Sequence, residues 1–519
     1  MKEKSIPIVD LFAGPGGLGE GFSAYQDNHA FEIVVSAEKD ADARKTLLLR
    51  AFYRILKREN AEGLQDYYDF CNGVASKPYT KDTLGQWTKA DAEARQITLG
   101  SIEGNTELDE IIESKIDTSE PWVLIGGPPC QAYSLVGRAR NKGNIEYKAE
   151  DDNRHFLYKE YLRIIQQYCP SIFVMENVKG ILSSKVNGKR VFDEILTDLT
   201  DPDAALKRVG KGFKYRICSL VSEQVFKAGD DPKSIDPNKF IIRAENHSIP
   251  QARHRVILVG IREDMPGTLG SLLINDHVTV EDAISELPQL RSKLSKGKDS
   301  AERWKKIVKD QLCALAKITT DKSLSSELKN TAYEIIENGI TGSLRFPKDD
   351  YSSGCYSCNS NLITEWFSDS RLRVWLNHET RGHMDSDLGR YGYAAVFAKI
   401  NNRSPKGHKE FDIQGLKPEH KNWESGKFSD RFRVQLKRYP STTITSHISK
   451  DGHYFIHYDA RQCRSLTVRE AARLQTFPDN YFFQGNRTQQ FHQVGNAVPP
   501  YLAYQIAKVL FDFFNNVKK

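Results

Sequence analysis

Five short, β-branched apolar runs punctuate the first 261 residues of this 519-residue chain, each followed by a polar loop and a stretch of helical character. They are Ile6 to Leu11, Glu32 to Ala37, Trp122 to Ile125, Ser171 to Met175 and Arg255 to Ile261. Runs this apolar offer no polar face to water, so they suit strands covered on both sides by helices in a mostly parallel sheet. Residues 1–261 are therefore expected to form an α/β, doubly wound domain whose chemistry sits in the crevice beyond the carboxyl ends of the strands. One segment exceeds an ordinary crossover: residues 41–97 keep a helical period through Leu47, Leu48, Ala51, Phe52, Ile55 and Leu56 and read as an inserted helical elaboration.

The rhythm stops near residue 262. Residues 291–340 look helical and polar, Gly, Ser, Asn and aromatic residues then predominate to about residue 450, and 262–455 reads as a second, smaller domain of mixed character. Ser465 to Phe477 reads as an amphipathic helix and Pro499 to Phe514 as an apolar one, so 456–519 is expected to be a hinge helix with a C-terminal return to the first domain. A chain of this length fits two or three domains. Its net charge of +6 is unevenly placed, because Arg371 to Lys450 carries 16 Lys and Arg against eight Asp and Glu. Trp375, Tyr391, Tyr393, Phe397, Trp423, Phe428, Phe432 and Tyr439 interleave that basic stretch, a composition suited to phosphate contacts with stacking; the plainer reading is a solvated basic surface. No apolar run approaches the roughly 18 residues that cross a bilayer. No apolar signal segment follows Met1-Lys2-Glu3-Lys4, and the eight cysteines are scattered without framework spacing, so a cytoplasmic protein with reduced thiols is expected.

Three motifs sit at strand ends. Asp10-Leu11-Phe12-Ala13-Gly14-Pro15-Gly16-Gly17-Leu18-Gly19 follows the first strand, with Gly14, Gly16 and Gly19 in G-x-G-x-x-G spacing and Glu38 ending the next strand, where a ribose-binding carboxylate belongs. This suits a dinucleotide or an adenosyl cofactor, against the plain alternative of a tight glycine turn, and Phe12 offers an adenine a stacking face. Gly126-Gly127-Pro128-Pro129-Cys130-Gln131 closes the third run, and its two prolines stiffen the loop before a cysteine that is otherwise read as core packing. Glu176 follows the fourth run, where an unpaired carboxylate is costly and burial would help it hold a proton. Gln251-Ala252-Arg253-His254-Arg255 puts two arginines on one side of an extended chain, fit for a phosphate or a carbonyl oxygen. A cysteine beside a carboxylic acid points to covalent catalysis on an electron-poor ring. Cys355-Tyr-Ser-Cys358 with His378 and His383 looks like half a zinc pattern, but its spacer exceeds the usual range and no metal is expected.

Together the motifs resemble the ordered signature of the DNA (cytosine-5) methyltransferases. The matching pieces are Asp10 to Gly14, Gly127 to Gln131, Glu176-Asn177-Val178, Gln251 to Arg255, Arg464 to Gln475, and Gln493-Val494-Gly495-Asn496-Ala497-Val498-Pro499, over the first 261 and last 65 residues. The resemblance implies a Rossmann-like class I methyltransferase domain with a smaller target-recognition domain over the basic segment. It implies that Cys130 attacks C6 of a flipped-out cytosine in double-stranded DNA, that Glu176 hydrogen-bonds N3 and the exocyclic amine, and that C5 takes the methyl group of S-adenosyl-L-methionine. Arg255 would contact the base O2, with Arg253 and Asn177 holding the surrounding loops. Cofactor contacts carry over to Phe12, Gly14, Gly16, Gly17, Glu38, Ile102, Pro128, Asn496 and Val498. DNA contacts carry over to Gln131, Ser134, Arg138 and Arg140, in a loop to about Lys148 that also holds Gly137, Lys142 and Gly143. A monomer, paired with a restriction endonuclease of the same site, is the implied setting.

The chain departs from the family pattern at four places. Ser101 stands where an aspartate is expected against the adenine amine, Tyr133 replaces the commoner phenylalanine, Tyr458 stands where proline is usual, and the 41–97 segment is long. A nicotinamide oxidoreductase would explain the glycine turn and Glu38 but leaves Cys130, Glu176 and the basic domain without a purpose. An RNA cytosine methyltransferase and a catalytically silent DNA-binding relative are the nearer alternatives.

Overall fold

The computed structural model describes residues 4–129, 157–186, 188–337, 340, 342, 365–418 and 431–517. Strand β1 (Ile6–Leu11) leads through the glycine turn into α1 (Gly17–Ala24), and β2 (Phe31–Glu38) leads into α2 (Ala41–Glu59), α3 (Leu64–Cys71), α4 (Leu84–Glu93) and the short strand β3 (Ala94–Gln96). Next come α5 (Ile102–Lys115), β4 (Val123–Gly126), α6 (Leu157–Tyr168), β5 (Ile172–Val178) and α7 (Val191–Thr200). Strands β6 (Tyr215–Cys218), β7 (Val225–Phe226) and β8 (Ile241–Arg243), the two-residue β9 (Gln251–Ala252) and the long β10 (His254–Arg262) follow.

The central sheet runs β3-β2-β1-β4-β5-β10-β6-β7, with β8 also on β10. From β3 to β5 the strands are parallel. From β5 onward β10, β6, β7 and β8 pair antiparallel. All five expected strands are present, and the fourth run extends to Val178, so that Glu176 and Asn177 are strand residues. The expected helical elaboration is α2 to α4, but it ends in β3, a sheet edge too short for its alternation to stand out in sequence.

Side-chain alternation splits the strands into two buried layers. Val9, Leu11, Leu124, Phe173, Met175, Val256 and Leu258 point to one face, packing with Tyr161, Ile165 and Leu196 of α6 and α7. Ile8, Val123, Ile125, Val174, Ile257 and Val259 point to the other, packing with Phe22 of α1 and with Leu502, Ile506 and Leu510. Burying each such side chain contributes about 1.5–3 kcal/mol, which fixes strand register, because a one-residue slip would exchange the faces.

In the second part α8 (Ala301–Ile318), α9 (Lys322–Glu337) and α10 (Asp385–Asn401) pack around Trp304, Leu312, Leu328 and Leu388. Tyr391, Tyr393, Phe397 and Phe432 belong to this same core, so they do not stack on a ligand; in the basic segment Tyr439 is exposed, and Trp423 and Phe428 lie outside the described residues. Strand β11 (Ser441–Thr442) pairs in parallel with β9. Three helices complete the chain: α11 (Val468–Leu474), α12 (Arg487–Asn496) and α13 (Pro500–Val517), the last lying on the sheet face beside α1.

Helix α11 is not the amphipathic helix read from sequence. All seven of its residues are buried, and its arginines are satisfied internally. Arg464, just before it, grips Glu470 at 2.7 and 2.6 Å, Arg473 grips Asp479 at 2.9 and 2.8 Å, and Arg469 donates to the carbonyls of Leu376, Pro478 and Tyr481. Beside this network His378 has both ring nitrogens engaged, 2.9 Å from Thr467 Oγ1 and 2.9 Å from the Pro288 carbonyl, and His457 lies 3.5 Å from Glu470. His383 Nε2 is 3.3 Å from the Ser465 amide and hydroxyl, while Cys355 and Cys358 lie outside the described residues. Burial pushes the imidazoles of His378 and His457 down to about 4. The unfolded chain takes up these protons near pH 6.5 and the folded chain only near pH 4, so stability present above pH 6.5 is lost as pH falls toward 4. Each histidine contributes on the order of 3 kcal/mol to that loss. The urea midpoint is expected to fall between pH 7.5 and pH 5, and to fall less in His457→Gln; an equal fall in both proteins would contradict the assignment.

Candidate active site

The glycine turn after β1 is held in a shape that side chains resist. Phe12 has φ +56°, Gly14 +57° and Gly16 +92°, and a non-glycine residue in this region carries strain that concentrates at functional sites. A Cβ on Gly17 would lie 2.1 Å from the Val498 carbonyl oxygen, whereas one on Gly14 would meet nothing within 4 Å. The turn is thus pressed against the return segment at Gly17 and open at Gly14. Glu38, at the end of β2, accepts from Gly14 N at 2.8 Å and from Asp40 N at 2.7 Å, and burial pushes its carboxyl up. Asp10 is buried, neither of its carboxylate oxygens has a hydrogen-bond partner among the described residues, and burial pushes its carboxyl well above the usual range.

Ser101 caps α5: its hydroxyl accepts from Gly104 N at 3.0 Å and donates to the Thr98 carbonyl at 2.9 Å, so it does local work. Ile102 beside it is 83% exposed, an apolar side chain standing in water at the same rim of the sheet. Asn496 is exposed at the end of α12, while Val498 and Pro128 are buried.

Because β10 runs antiparallel to β5, its beginning lies beside β5's end, with Ile257 opposite Glu176 and Arg255 opposite Val178. The diagonal across this pair brings Arg255 Nε to 2.7 Å from Glu176 Oε1, although Nε is not aligned for a hydrogen bond. Glu176 is therefore not left unpaired, which the end of an apolar strand makes costly; the Arg255 guanidinium compensates it. A Cβ on Gly127 would lie 3.1 Å from Glu176 Oε2, so the Gly-Gly-Pro-Pro loop after β4 approaches the carboxylate closely. Cys130, Gln131, Tyr133, Ser134, Gly137, Arg138, Arg140, Lys142 and Gly143 lie outside the described residues.

The lead-in to β10 is a hub. Arg253 is 2% exposed and donates to the Ile444 carbonyl at 2.9 Å and the Gly495 carbonyl at 3.4 Å. Gln251 donates to the Leu474 carbonyl and to Gln475 Oε1, and accepts from Ile444 N at 2.7 Å. Gln475 in turn donates to the carbonyls of Val494 and Ala497. Asn177 is 3% exposed, and its side-chain oxygen accepts from Val178 N at 2.8 Å. The structure thus brings Glu176, Asn177, Arg253 and Arg255 together with the Gly127 loop. The glycine turn, Glu38 and Val498 form a second group on the same end of the sheet. Sequence motifs contain Gln475 but do not reveal its bridging, and Tyr481, whose hydroxyl donates to the Pro15 carbonyl, belongs to no motif.

The profile of the C-5 cytosine-specific DNA methylases matches residues 91–203 and 238–512. The chain belongs to this family. Over 98% of its length it is 32% identical to the type II methyltransferase M.Bpa9945I of Bacillus paralicheniformis, covering 99% of that protein. The type II methyltransferase M.DdeI of Desulfomicrobium norvegicum is 25% identical over 98% of this chain and 89% of its own. A solved E. coli prophage-encoded chain, described as a DNA modification methyltransferase, superposes with a TM-score of 0.52 at 19% identity, over 98% of this chain and 100% of its own, which shows the common fold. This C-5 cytosine-specific DNA methylase is a DNA (cytosine-5-)-methyltransferase with the α/β methyltransferase fold. Among its described residues no helix is long and apolar enough to cross a membrane.

The two glycines should respond differently to substitution. Gly17→Ala in the methylase must move the Val498 backbone and is expected to cost about 2–3 kcal/mol. Gly14→Ala meets no atom and should cost only the left-handed strain, about 1 kcal/mol. Urea denaturation of both variants checks this, and equal losses would contradict the packing described.

Proposed function

We propose that the protein transfers a methyl group from S-adenosyl-L-methionine to C5 of a flipped-out cytosine in a specific double-stranded DNA sequence through a covalent Cys130–C6 adduct. Its setting is the modification half of a restriction-modification system, beside an endonuclease of the same site. The observation that carries the reading is the Glu176–Arg255 pair at 2.7 Å, at the carboxyl end of the sheet and against the loop that leads into Cys130. Residues 1–261 and 456–519 form the catalytic unit in this reading and 262–455 the target-recognition domain.

The methyl-donor site fits the residues present: an open turn at Gly14, the half-buried carboxylate of Glu38 with oxygen lone pairs to spare for ribose hydroxyls, and an exposed Ile102 to cover an adenine. Phe12, Gly16, Gly17, Pro128, Asn496 and Val498 complete it. When bound, S-adenosylmethionine supplies an electrophilic methyl group. The Cys130 thiolate adds to C6 and so raises the electron density at C5. Glu176, in its protonated form, donates to N3 and accepts from the exocyclic amine with its other oxygen, so that the charge added at C6 is neutralised by a proton at N3, while Arg255 faces O2 and steadies the carboxylate left on Glu176. Once C5 has accepted the methyl group, whose bond to the donor sulfur breaks, the C5 proton passes to water, N3 returns its proton to Glu176, and the Cys130 thiolate leaves C6, which restores the aromatic ring. Arg253 and Asn177 hold the loops in place. C6 is inaccessible within a stacked duplex, so the base must leave the helix. Gln131, Ser134, Arg138 and Arg140 contact the DNA around the vacated position.

The test is transfer of tritiated methyl from S-adenosylmethionine to an unmethylated mixed-sequence duplex, with bisulfite sequencing of the product. Methylation confined to one short sequence is expected; transfer to tRNA and not to DNA would overturn the reading. Cys130→Ser should abolish transfer while leaving cofactor binding intact. Glu176→Gln should slow the chemical step by about a hundredfold or more at an unchanged melting temperature. A collapse in melting temperature instead would make Glu176 a structural carboxylate.

A further inference from the structure

Helix α2 opens the long 41–97 segment, and one of its faces touches both walls of the cleft assigned to the methyl donor. Thr46 donates its hydroxyl proton to Gln493 Oε1 at 2.6 Å and accepts from Gln484 N at 2.9 Å. Leu47 packs beneath the glycine turn, where a Cβ on Gly16 would lie 2.7 Å from its Cδ2. Arg50, one turn further along that face, is 4% exposed. Its Nε and Nη2 donate to the two oxygens of Glu20 at 2.8 and 2.6 Å, and its Nη1 donates to Asn480 Oδ1 at 2.9 Å. The guanidinium also lies over the rings of Tyr53 and Tyr481, at 4.0 and 5.0 Å.

The partners of Arg50 lead straight to the cleft. Glu20 sits in the first turn of α1, its N–H bonded to the Gly16 carbonyl at 2.8 Å. Asn480 and Tyr481 belong to the return segment before α12, and the Tyr481 hydroxyl donates to the Pro15 carbonyl inside the turn. Tyr67 of α3 fixes the Asn480 carbonyl at 2.5 Å. Gln493, held by Thr46, lies three residues before Asn496 on the same helix. A guanidinium can engage a carboxylate with two parallel bonds and still direct a third donor elsewhere, which a lysine ammonium on a flexible stem does not reproduce.

We propose that Arg50 is a positioning residue for the methyl-donor site: by clamping Glu20 of α1 to Asn480 of the return segment, it holds the glycine turn at a fixed separation from the segment that carries Asn496 and Val498. The proposal rests on the functional reading above and gives the 41–97 segment a task in that reaction. Arg50 touches neither donor nor base; it acts through Glu20, Asn480 and Tyr481.

The test uses the full-length protein, Arg50→Lys, and the double variant Glu20→Met/Arg50→Met, which removes the Glu20–Arg50 pair together and leaves the neighbouring buried Arg54 paired with Glu93. S-adenosylmethionine affinity is measured by calorimetry without DNA, alongside KM, kcat and melting temperature. Arg50→Lys is expected to weaken S-adenosylmethionine binding about tenfold, in Kd and KM alike, with kcat at saturation and KM for DNA changed by less than about threefold. The double variant should melt near the wild-type temperature yet keep the weakened binding. If the double variant binds like wild type, Arg50 is only the counter-charge of Glu20, and the proposal is overturned. It is equally overturned if Arg50→Lys binds like wild type. A wild-type protein that binds no S-adenosylmethionine overturns the functional reading, and this proposal with it.

Discussion

A carboxylate at the mouth of a buried sheet must be compensated, because an unpaired buried charge costs several kcal/mol. Parallel strands all finish at the same end, so a further parallel strand would begin at the opposite one. The antiparallel direction of β10 solves this: the strand begins where β5 finishes and delivers Arg255 to Glu176. Its lead-in then has to occupy the active-site end of the sheet, where Gln251 and Arg253 collect backbone groups of residues 444, 474 and 495, and Gln475, held by Gln251, collects those of 494 and 497. One strand direction thus pairs the charges and gathers the distant loops around them.

The same economy of buried charge shapes the end of the chain. Arg464, Arg469 and Arg473 are almost wholly withdrawn from water, yet each meets a carboxylate or several carbonyl oxygens. Such groups are exacting, since removing one partner strands the other, and they define a single arrangement of the return segment. That arrangement presses Val498 onto Gly17 and lays α13 on the sheet face, so residues from both ends of the sequence share one site.

Much of this was legible in the sequence, for physical reasons. Strands buried on both faces are apolar throughout, and all five such runs are strands. Glycines at Gly14, Gly16 and Gly17 record positive φ or a backbone contact that no side chain permits. Less legible were features that depend on partners far away in the chain. The antiparallel course of β10 leaves no trace in its composition, so the Glu176–Arg255 pair could not be foreseen from either residue. Helix α11 looked amphipathic because its arginines count as polar, whereas tertiary partners satisfy them in the interior. Tyr391 and Phe432 looked like stacking surfaces among basic residues but are core of the second part. Arg50 belongs to no motif, and its place follows only from Glu20 and Asn480 converging on it.

The role proposed for the loop after β4 is to carry a nucleophile that attacks the base beside Glu176 and Arg255. It is tested most directly by incubating the protein with S-adenosylmethionine and a duplex containing 5-fluorocytosine at the methylated position, which blocks release after methyl transfer, and then mapping the adduct by peptide mass spectrometry. The expected result is a denaturation-resistant complex whose only linked peptide contains Cys130. A complex linked through another residue, or methylation of ordinary duplex with no trapped complex on the fluorinated one, would contradict it.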